Sequence, residues 1–242
     1  MKKIGFFCLM LFFAVGGKAQ MYFDAGVKGA FGPTVLFNKD IFDSADYRHN
    51  ATMGFAYGGK LGINFNGKNA ITLDLMRQTS RQDLEFDISG SGAFTDLIEW
   101  NHTDLILLYR FSGNGAYIEI GPKLSNISEV THEINGQSST IAATPFYADN
   151  YLSGVFGFGS YLAGSDLVTL QIGIRIHFAM DDMVNDSGKE GSNNYPTPIF
   201  PQKLNNAKTL ATAAMLQVEL NYAFGRFAKA QCSDRRKLIL FQ

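Results

Sequence analysis

Four residues of this chain are candidates for a catalytic set of nucleophile, general base and orienting acid. They are one serine, two histidines and one aspartate. His102 and Asp104 stand two residues apart, and Ser153 and His177 follow later in the chain. A serine that attacks, a histidine that removes its proton and an acid that orients the histidine form a common hydrolytic arrangement. No serine stands two residues after any histidine, however. The sequence leaves two interpretations open, a catalytic set or histidines that are simply hydrated or hydrogen-bonded.

Metal and disulfide chemistry find little support in the sequence. The four histidines do not share a metal-binding spacing. The two cysteines are Cys8, inside an N-terminal apolar stretch, and Cys232, near the C-terminus. If the first is removed with a leader peptide, one thiol remains, and an intramolecular disulfide is impossible. We therefore predict no metal site and no cofactor.

The N-terminal residues have the pattern of a secretory signal peptide. Lys2 and Lys3 precede an apolar run over 4–15, and Gly17-Lys18-Ala19 then provides a small-x-small cleavage signal. A membrane-spanning helix would need about 20 apolar residues, and this run is shorter. We predict export by the Sec pathway and cleavage after Ala19, so that 1–19 is the signal peptide.

The charge of the mature chain bears on its partners. Removal of 1–19 takes away three of the 21 basic residues and none of the 22 acidic ones, which argues against nucleic acid as a partner. The mean hydropathy of −0.03 is that of a soluble protein. A membrane β-barrel has such a value too, because every second residue of each strand faces the lumen.

Apolar and polar residues alternate in eight stretches of the mature chain, which is the pattern of strands with one apolar face. Val168 to Phe178 is the clearest stretch, because its apolar residues alternate with polar ones throughout. Most stretches have about the ten residues that a tilted strand needs to cross a bilayer. The facing of Tyr151–Leu162 stays open. The predicted strands are Met21–Phe31, Met53–Phe65, Ala70–Ile88, Thr103–Phe111, Ile118–Leu124, Tyr151–Leu162, Val168–Phe178 and Leu216–Phe224.

Short and long connections alternate along the chain. The short ones are Asn66–Asn69, Ser112–Gly115 and Ala163–Asp166. The long ones are Gly32–Thr52, Ser89–Glu99, Asn126–Asn150 and Val184–Lys208. Short periplasmic turns and long outer loops are typical of bacterial outer-membrane barrels. We therefore predict an all-β, eight-stranded antiparallel up-and-down transmembrane β-barrel over 20–227, with both ends of the barrel periplasmic.

The polarity of the two strand faces favours a membrane barrel over a soluble one. A soluble eight-stranded barrel, such as a lipocalin, encloses its apolar face as a core. In this chain the faces assigned to the lumen contain glycine, threonine, glutamine and too many charged residues for the core of a soluble protein. The apolar faces would form an aggregation-prone surface in water. The aromatic residues at the short-turn ends would form an interfacial girdle in the outer membrane of a Gram-negative bacterium. They are Phe65, Tyr109, Phe111, Tyr222 and Phe224.

Five acidic and five basic residues are assigned to the lumen. An eight-stranded barrel is wide enough only for its own side chains, and buried charges are costly unless they are paired. Strand pairing across the short turns predicts that Lys60 lies close to Asp74 and that Arg110 lies diagonal to Glu119. The lumen is therefore predicted to be plugged by salt bridges and not open as in a porin. The ten residues are Asp24, Lys28, Lys60, Asp74, Asp104, Arg110, Glu119, Lys123, Arg175 and Glu219.

Two other functions stay open at this point. One is a narrow channel. The other is a lipid-modifying enzyme at the outer rim, where strand ends would bring His102 and Asp104 near His177, with Ser153 close by. The absence of a His-x-Ser spacing weighs against the enzyme.

The long loops are the places where recognition is expected. In the last loop, Tyr195, Ile199 and Phe200 stand among proline residues and would form an extended tip that contacts a partner, although a disordered loop is equally compatible. Outer-membrane barrels usually end on an aromatic residue, here Phe224 or Phe227. The basic segment over 228–242 is therefore predicted to be a periplasmic tail.

Four segments carry a resemblance to a known family. They are Gly17–Gln20, Phe23–Gly29, Tyr117–Pro122 and Leu220–Phe224. With them the chain resembles the PorT-like eight-stranded outer-membrane barrels of Bacteroidota, which are similar in architecture to the OmpA transmembrane domain. The resemblance covers nearly all of the mature chain and implies an integral outer-membrane protein without catalytic residues. Some members of the family assist protein secretion or surface assembly.

A protein of this kind would meet several partners. Outer-membrane lipids and lipopolysaccharide would surround it, and the barrel-assembly machinery and periplasmic chaperones would handle it during biogenesis. An unknown protein partner would bind the long loops.

Overall fold

The structure is a computed structural model that describes residues 21–43, 47–50, 52–65, 67–88, 92–138, 143–165, 167–189 and 207–224. The predicted signal peptide over 1–19, the tail over 228–242 and Cys232 lie outside the described residues. The same holds for the predicted loop contacts Tyr195, Ile199 and Phe200.

Eight long strands form a closed antiparallel ring. Each strand pairs with its neighbours in sequence, and the first also pairs with the last, so that no edge of the ring is left open. The strands are β1 (Tyr22–Asn38), β2 (Thr52–Phe65), β3 (Asn69–Ile88), β4 (Gly92–Gly113), β5 (Ala116–Ile134), β6 (Asn150–Gly164), β7 (Val168–Ala179) and β8 (Thr209–Phe224).

Short strands and one-turn helices lie at the end of the ring that carries the long loops. A short strand, Tyr47–Asn50, pairs with β3, and another, Gln137–Ser138, pairs with β5. One-turn helices span Lys39–Phe42 and Asp186–Lys189, and a 3-10 turn spans Thr144–Phe146. In the part of the chain that is described, no helix has the length and apolar character to cross a membrane.

The opposite end has tight turns. Asn114 and Gly115, between β4 and β5, have φ angles of 52° and 78°, and Gly67, between β2 and β3, has a φ of 71°. Such left-handed conformations suit asparagine and glycine, which explains the composition of these turns. The three short connections predicted from the sequence are therefore the turns between β2 and β3, β4 and β5, and β6 and β7.

Several strands are longer than the alternation alone predicted. The prediction ended the first strand at Phe31, before Gly32-Pro33, whereas β1 continues to Asn38. Pro33 lacks an amide hydrogen, but it still lies opposite Met53 on β2, and only the pairing with β8 is interrupted there. Likewise, β4 begins at Gly92, inside the predicted 89–99 loop, and β5 runs to Ile134. The barrel wall is thus taller than expected at the long-loop end.

The outer surface of the ring is apolar and its interior is polar. Val27 is 62% exposed and its neighbour Lys28 is 4% exposed, while Leu61 is 60% exposed and Lys60 only 3%. Apolar side chains over so large a surface would aggregate in water, and they match the hydrocarbon of a bilayer. The chain is therefore an eight-stranded antiparallel up-and-down transmembrane β-barrel.

Strand β6, whose facing the sequence left open, follows the same rule. Tyr151, Ser153 and Val155 are buried inside the barrel, whereas Phe156 and Phe158 are exposed on its surface. Several positions of this strand are glycine, which has no side chain, so the sequence does not show which face of the strand is polar and which is apolar. Strand β6 therefore lines the same lumen as the other seven strands.

Gly121 and Pro122 mark a close approach between β4 and β5. Pro122 faces outward, as expected from the sequence, and the pairing with β4 lapses at Leu107 and Leu108. A Cβ atom built on Gly121 would overlap the backbone carbonyl oxygen of Leu107. Because that oxygen belongs to the barrel wall, it cannot move without displacing β4.

We expect Gly121→Ala to lower the free energy of unfolding by about 1–3 kcal/mol, the usual cost of overpacking. Urea unfolding of the protein in detergent or liposomes, followed by heat-modifiable gel mobility, measures the change. Gly29→Ala is the matched control, since a Cβ on this β1 residue meets no atom within 4 Å. Its expected effect is below about 0.5 kcal/mol. Equal effects of the two substitutions would contradict the close approach.

Candidate functional site

The interior of the barrel is arranged in layers that can be followed along one strand. The inward residues of β4, followed from the short turn toward the long loops, alternate between polar and apolar levels. A charged residue comes first, then two apolar residues, two polar residues, two apolar residues and an aspartate. The inward residues in this order are Arg110, Leu108, Ile106, Asp104, His102, Trp100, Ile98 and Asp96.

Nearest the short turns lies a cluster of eight charged side chains, which we call the lower charge cluster. It contains four acids and four bases, and all of them are buried. Seven of the eight strands contribute to it. On the remaining strand, β6, Gly157 leaves room for the Glu119 carboxylate, which a Cβ atom would approach to 2.7 Å. The cluster consists of Asp24, Lys28, Lys60, Asp74, Arg110, Glu119, Arg175 and Glu219.

Glu219 on β8 is the most highly connected acid of the cluster. Its carboxylate lies 2.9 Å from Lys28 Nζ, 2.6 Å from Lys60 Nζ and 2.9 Å from Arg110 Nη2. Three cations from β1, β2 and β4 therefore meet one anion. Asn221 adds a hydrogen bond of 2.6 Å from its Nδ2 to the same carboxylate.

The other two fully buried acids are also shared between cations. Asp74 lies 2.6 Å from Lys28 Nζ and 3.0 Å from Arg175 Nη1. Glu119 lies 2.8 Å from Arg110 Nη2 and 2.6 Å from Arg175 Nη2. These bridges close the network into a ring across the lumen, so that each fully buried acid meets at least two cations.

The ion pairs differ in part from those that strand pairing suggests. Lys60 and Asp74 are opposite each other in the ladder, yet no salt bridge joins them. Lys60 reaches Glu219 and lies 3.2 Å from Asp24, while Asp74 is taken by cations from across the lumen. Lys60 and Asp74 therefore lie close together as predicted, but they form no direct ion pair, because a lysine in a narrow lumen reaches beyond its cross-strand neighbour. Arg110 and Glu119 do pair as their register suggests.

Neutral polar side chains complete the lower charge cluster. Arg110 Nη1 donates to Gln171 Oε1 at 2.8 Å, and its guanidinium lies 4.2 Å from the centre of the Tyr117 ring. Gln217 Nε2 donates to the Tyr117 hydroxyl at 3.1 Å and to Glu119 Oε1 at 3.3 Å. Alternation along the strands already placed these residues on the lumen face, although the sequence predicted no role for them.

A middle apolar layer covers the lower charge cluster. It contains Ala56, Met76, Ile106, Leu108, Val155, Ala213 and Met215, all buried. The prediction of a lumen lined by polar residues did not include this layer. Its signal is present on β4, where Leu105 to Leu108 is apolar on both faces of the strand.

Above it lies an upper polar layer centred on His102. Its Nδ1 is 2.7 Å from Asp104 Oδ1, and Lys123 Nζ is 3.2 Å from Asp104 Oδ2. The other ring nitrogen, Nε2, is 3.4 Å from the Ser80 hydroxyl. A cavity of about 10 Å³ lies beside Lys123 and His177, which is room for about one water molecule.

These residues do not lie at an outer rim. His102, Asp104 and Ser153 are fully buried, and His177 is 5% exposed. Ser153, the serine considered in the sequence, has no hydrogen-bond partner among the described residues. Ser80 on β3 takes the position beside the histidine, and only the β3–β4 register reveals it. The rim prediction is wrong because the strands continue past this level and the loops cover it.

An apolar cap closes the long-loop end. Tyr147 and Val184, from two different loops, form a β-bridge, and Asn185 Nδ2 donates to the carbonyl of Tyr147 at 3.0 Å. Tyr147 also packs into a cluster with Trp100 and Met183. The cap therefore joins the two loops to the inside of the barrel wall.

A second buried histidine fixes this cap. His132 Nδ1 lies 3.1 Å from Asp96 Oδ2, and its Nε2 lies 2.9 Å from the Tyr147 hydroxyl. The sequence placed His132 in a loop, but it belongs to β5. Its role in the structure is to hold Tyr147 by hydrogen bonding.

The arrangement favours ion pairing and packing over chemistry on a bound ligand. In the described segments, no three histidine, cysteine or acidic residues are grouped so that they could hold a metal ion. Ser80, His102 and Asp104 have the order of a catalytic relay, but the cap and the middle apolar layer enclose them.

Comparison with known proteins gives structural likenesses only. No protein-family model and no curated protein matches the chain. Among solved structures, the chain is similar to Neisserial surface protein A, with 15% identity, 86% of this chain and 99% of that chain covered, and a TM-score of 0.41.

Two further structures show likeness of the same order. The outer membrane protein OprG from Pseudomonas aeruginosa has 12% identity over 86% of this chain and 98% of that one, with a TM-score of 0.42. The outer membrane protein AlkL, determined in lipid bilayers, has 13% identity over 89% and 95%, with a TM-score of 0.39. Likeness at this level transfers no activity, ligand or partner to this chain.

Proposed function

We propose that this chain is an integral outer-membrane protein with a plugged barrel, which acts structurally or binds partners through its long loops. The observation that carries the proposal is the filling of the lumen. The lower charge cluster, the middle apolar layer and the apolar cap occupy successive levels and leave no continuous aqueous path along the described residues. What can vary, and contact other molecules, is the long-loop end.

The cellular setting follows from the same reasoning. An N-terminal leader for Sec export and an apolar barrel surface together favour the outer membrane of a Gram-negative bacterium. There the barrel would depend on periplasmic chaperones and the barrel-assembly machinery for insertion. A PorT-like role in protein secretion or surface assembly would fit a closed barrel, because such a role needs loops and not a pore.

An enzymatic function has one observation in its favour, the hydrogen-bonded chain Ser80–His102–Asp104. All three side chains are buried, so a lipid would reach them only if the barrel opened. We expect the double variant Ser80→Ala, His102→Gln to leave the lipid A species of the host unchanged by mass spectrometry. If the variant changed the acylation of lipid A, and the wild-type gene restored the original acylation, the protein would instead be an enzyme.

The plug has a direct electrical consequence. We expect the purified protein in planar bilayers to give no stable conductance, with an open porin recorded in the same bilayers as the positive control. The reason is that ions would have to cross the middle apolar layer, which excludes water. Stable openings that scale with the amount of protein inserted would contradict the plugged lumen and favour the narrow channel.

Loss of one anion should destabilise the whole lower charge cluster. We expect Glu219→Gln to lower the free energy of unfolding by about 3–5 kcal/mol, the usual cost of leaving buried charges without their partner. Lys28, Lys60 and Arg110 would all lose their shared carboxylate. Urea titration in liposomes measures the difference.

The matched control is a carboxylate whose ion pair is exposed. Glu99 lies 2.7 Å from Arg81, with side chains that are 28% and 45% exposed. Glu99→Gln should cost less than about 1 kcal/mol, because water screens such a pair. If Glu219→Gln were no more costly than this control, the cluster would not be what holds the barrel together.

A further inference from the structure

One arginine stands at the border of the apolar outer surface. Arg77 on β3 is exposed and faces outward, with Leu75 as the next outward residue toward the short turns. In the ladder it lies opposite Tyr57 on β2 and Thr103 on β4. Its guanidinium is therefore at the surface that lipid would cover.

The guanidinium of Arg77 has N–H donors that are not used by the described residues. Its Nη1 donates to Thr103 Oγ1 at 3.3 Å. Within the described residues it forms no salt bridge, unlike Arg81 two outward positions higher, which is paired with Glu99. A charged group at the edge of hydrocarbon is costly unless it reaches an anion or water. The position therefore calls for an anionic partner from the membrane itself.

The apolar band is shorter on this side of the barrel than on the other. On β3 the outward apolar residues are Ile71, Leu73 and Leu75, and Arg77 follows. On β1 the outward positions stay free of charged and polar side chains all the way from Phe23 to Phe37. They are Phe23, Ala25, Val27, Gly29, Phe31, Pro33, Val35 and Phe37.

A short apolar band changes where lipid headgroups lie. A bilayer adapts to a short hydrophobic surface by becoming thinner beside it. Beside β3 the headgroups of the outer leaflet would then come down toward Arg77. Thinning of the bilayer beside the short apolar band would therefore place lipid phosphates at the depth of the Arg77 guanidinium.

Uncharged polar side chains lie directly above Arg77 on the same outer surface. Thr79 Oγ1 donates to Asn101 Oδ1 at 2.6 Å, and Ser128 Oγ donates to the Asn101 carbonyl at 2.9 Å. Hydroxyl and amide groups of this kind form hydrogen bonds with sugar hydroxyls. Thr79, Asn101 and Ser128 carry no charge themselves, and an exposed carboxylate, Glu129, lies opposite Asn101 on β5.

We propose that Arg77, with Thr103 and the polar groups of Thr79 and Asn101, binds the phosphate of a phosphorylated glycolipid of the outer leaflet, the chemistry of lipid A. Arginine suits this role because its planar donors bind phosphate in a bidentate manner. The inference rests on the proposed function, since it requires the barrel to lie in an outer membrane.

Native mass spectrometry of the full-length protein in detergent tests the proposal. The probes are diphosphorylated lipid A, the same lipid after removal of its phosphates, and phosphatidylglycerol. We expect lipid A to bind most tightly, and Arg77→Gln to weaken its binding by about tenfold or more. Arg81→Gln is the matched control, since that arginine has its own carboxylate, and it should bind lipid A like the wild type.

Each contrary result has a distinct meaning. Equal binding of lipid A by Arg77→Gln and wild type, or equal binding of the dephosphorylated lipid, would overturn the phosphate site. Phosphatidylglycerol binding as tight as lipid A binding would overturn the assignment to a glycolipid. Heat-modifiable mobility confirms that each variant is folded. Membrane fractionation of cells tests the proposed function separately. If the folded barrel is in the outer membrane but does not bind lipid A, only the lipid site is refuted.

Discussion

The convergence of three cations on the Glu219 carboxylate is the interaction on which the rest of the interior depends. Inside a narrow barrel, each buried charge has to be matched by a neighbour within hydrogen-bonding distance. Glu219 meets Lys28, Lys60 and Arg110, and the remaining bridges continue from these cations to Asp74 and Glu119. Because the partners come from strands all around the ring, the cluster fixes the closure and the register of the barrel together.

The layers above the cluster follow from the same constraint. Because each charge of the cluster has an opposite charge beside it, apolar side chains can cover the cluster directly, as Leu108 and Met215 do. In the upper polar layer, enclosed in turn, the Asp104 carboxylate is shared between His102 and Lys123. The lumen is thus a folded core whose polar and apolar levels alternate along the barrel axis, while the membrane side of the wall is mostly apolar.

The sequence alone predicts the barrel well and the site only in part. Strict alternation locates the strands and assigns Lys28 and Glu219 to the lumen, because the period of a strand is two. Alternation cannot tell which charges touch, since long side chains reach across the lumen, and Lys60 and Asp74 form no direct ion pair for this reason. Gly32-Pro33 also ended the predicted first strand too early, because a proline that interrupts only one ladder leaves no distinct signal.

The position of Glu219 on the last strand of the ring has a consequence for the closure of the barrel. Without β8, the lower charge cluster holds four cations and three anions, so a seven-stranded intermediate carries an unmatched positive charge inside. The final strand neutralises the interior and also supplies the partner of β1. Charge balance in the lumen and closure of the ring therefore both depend on β8.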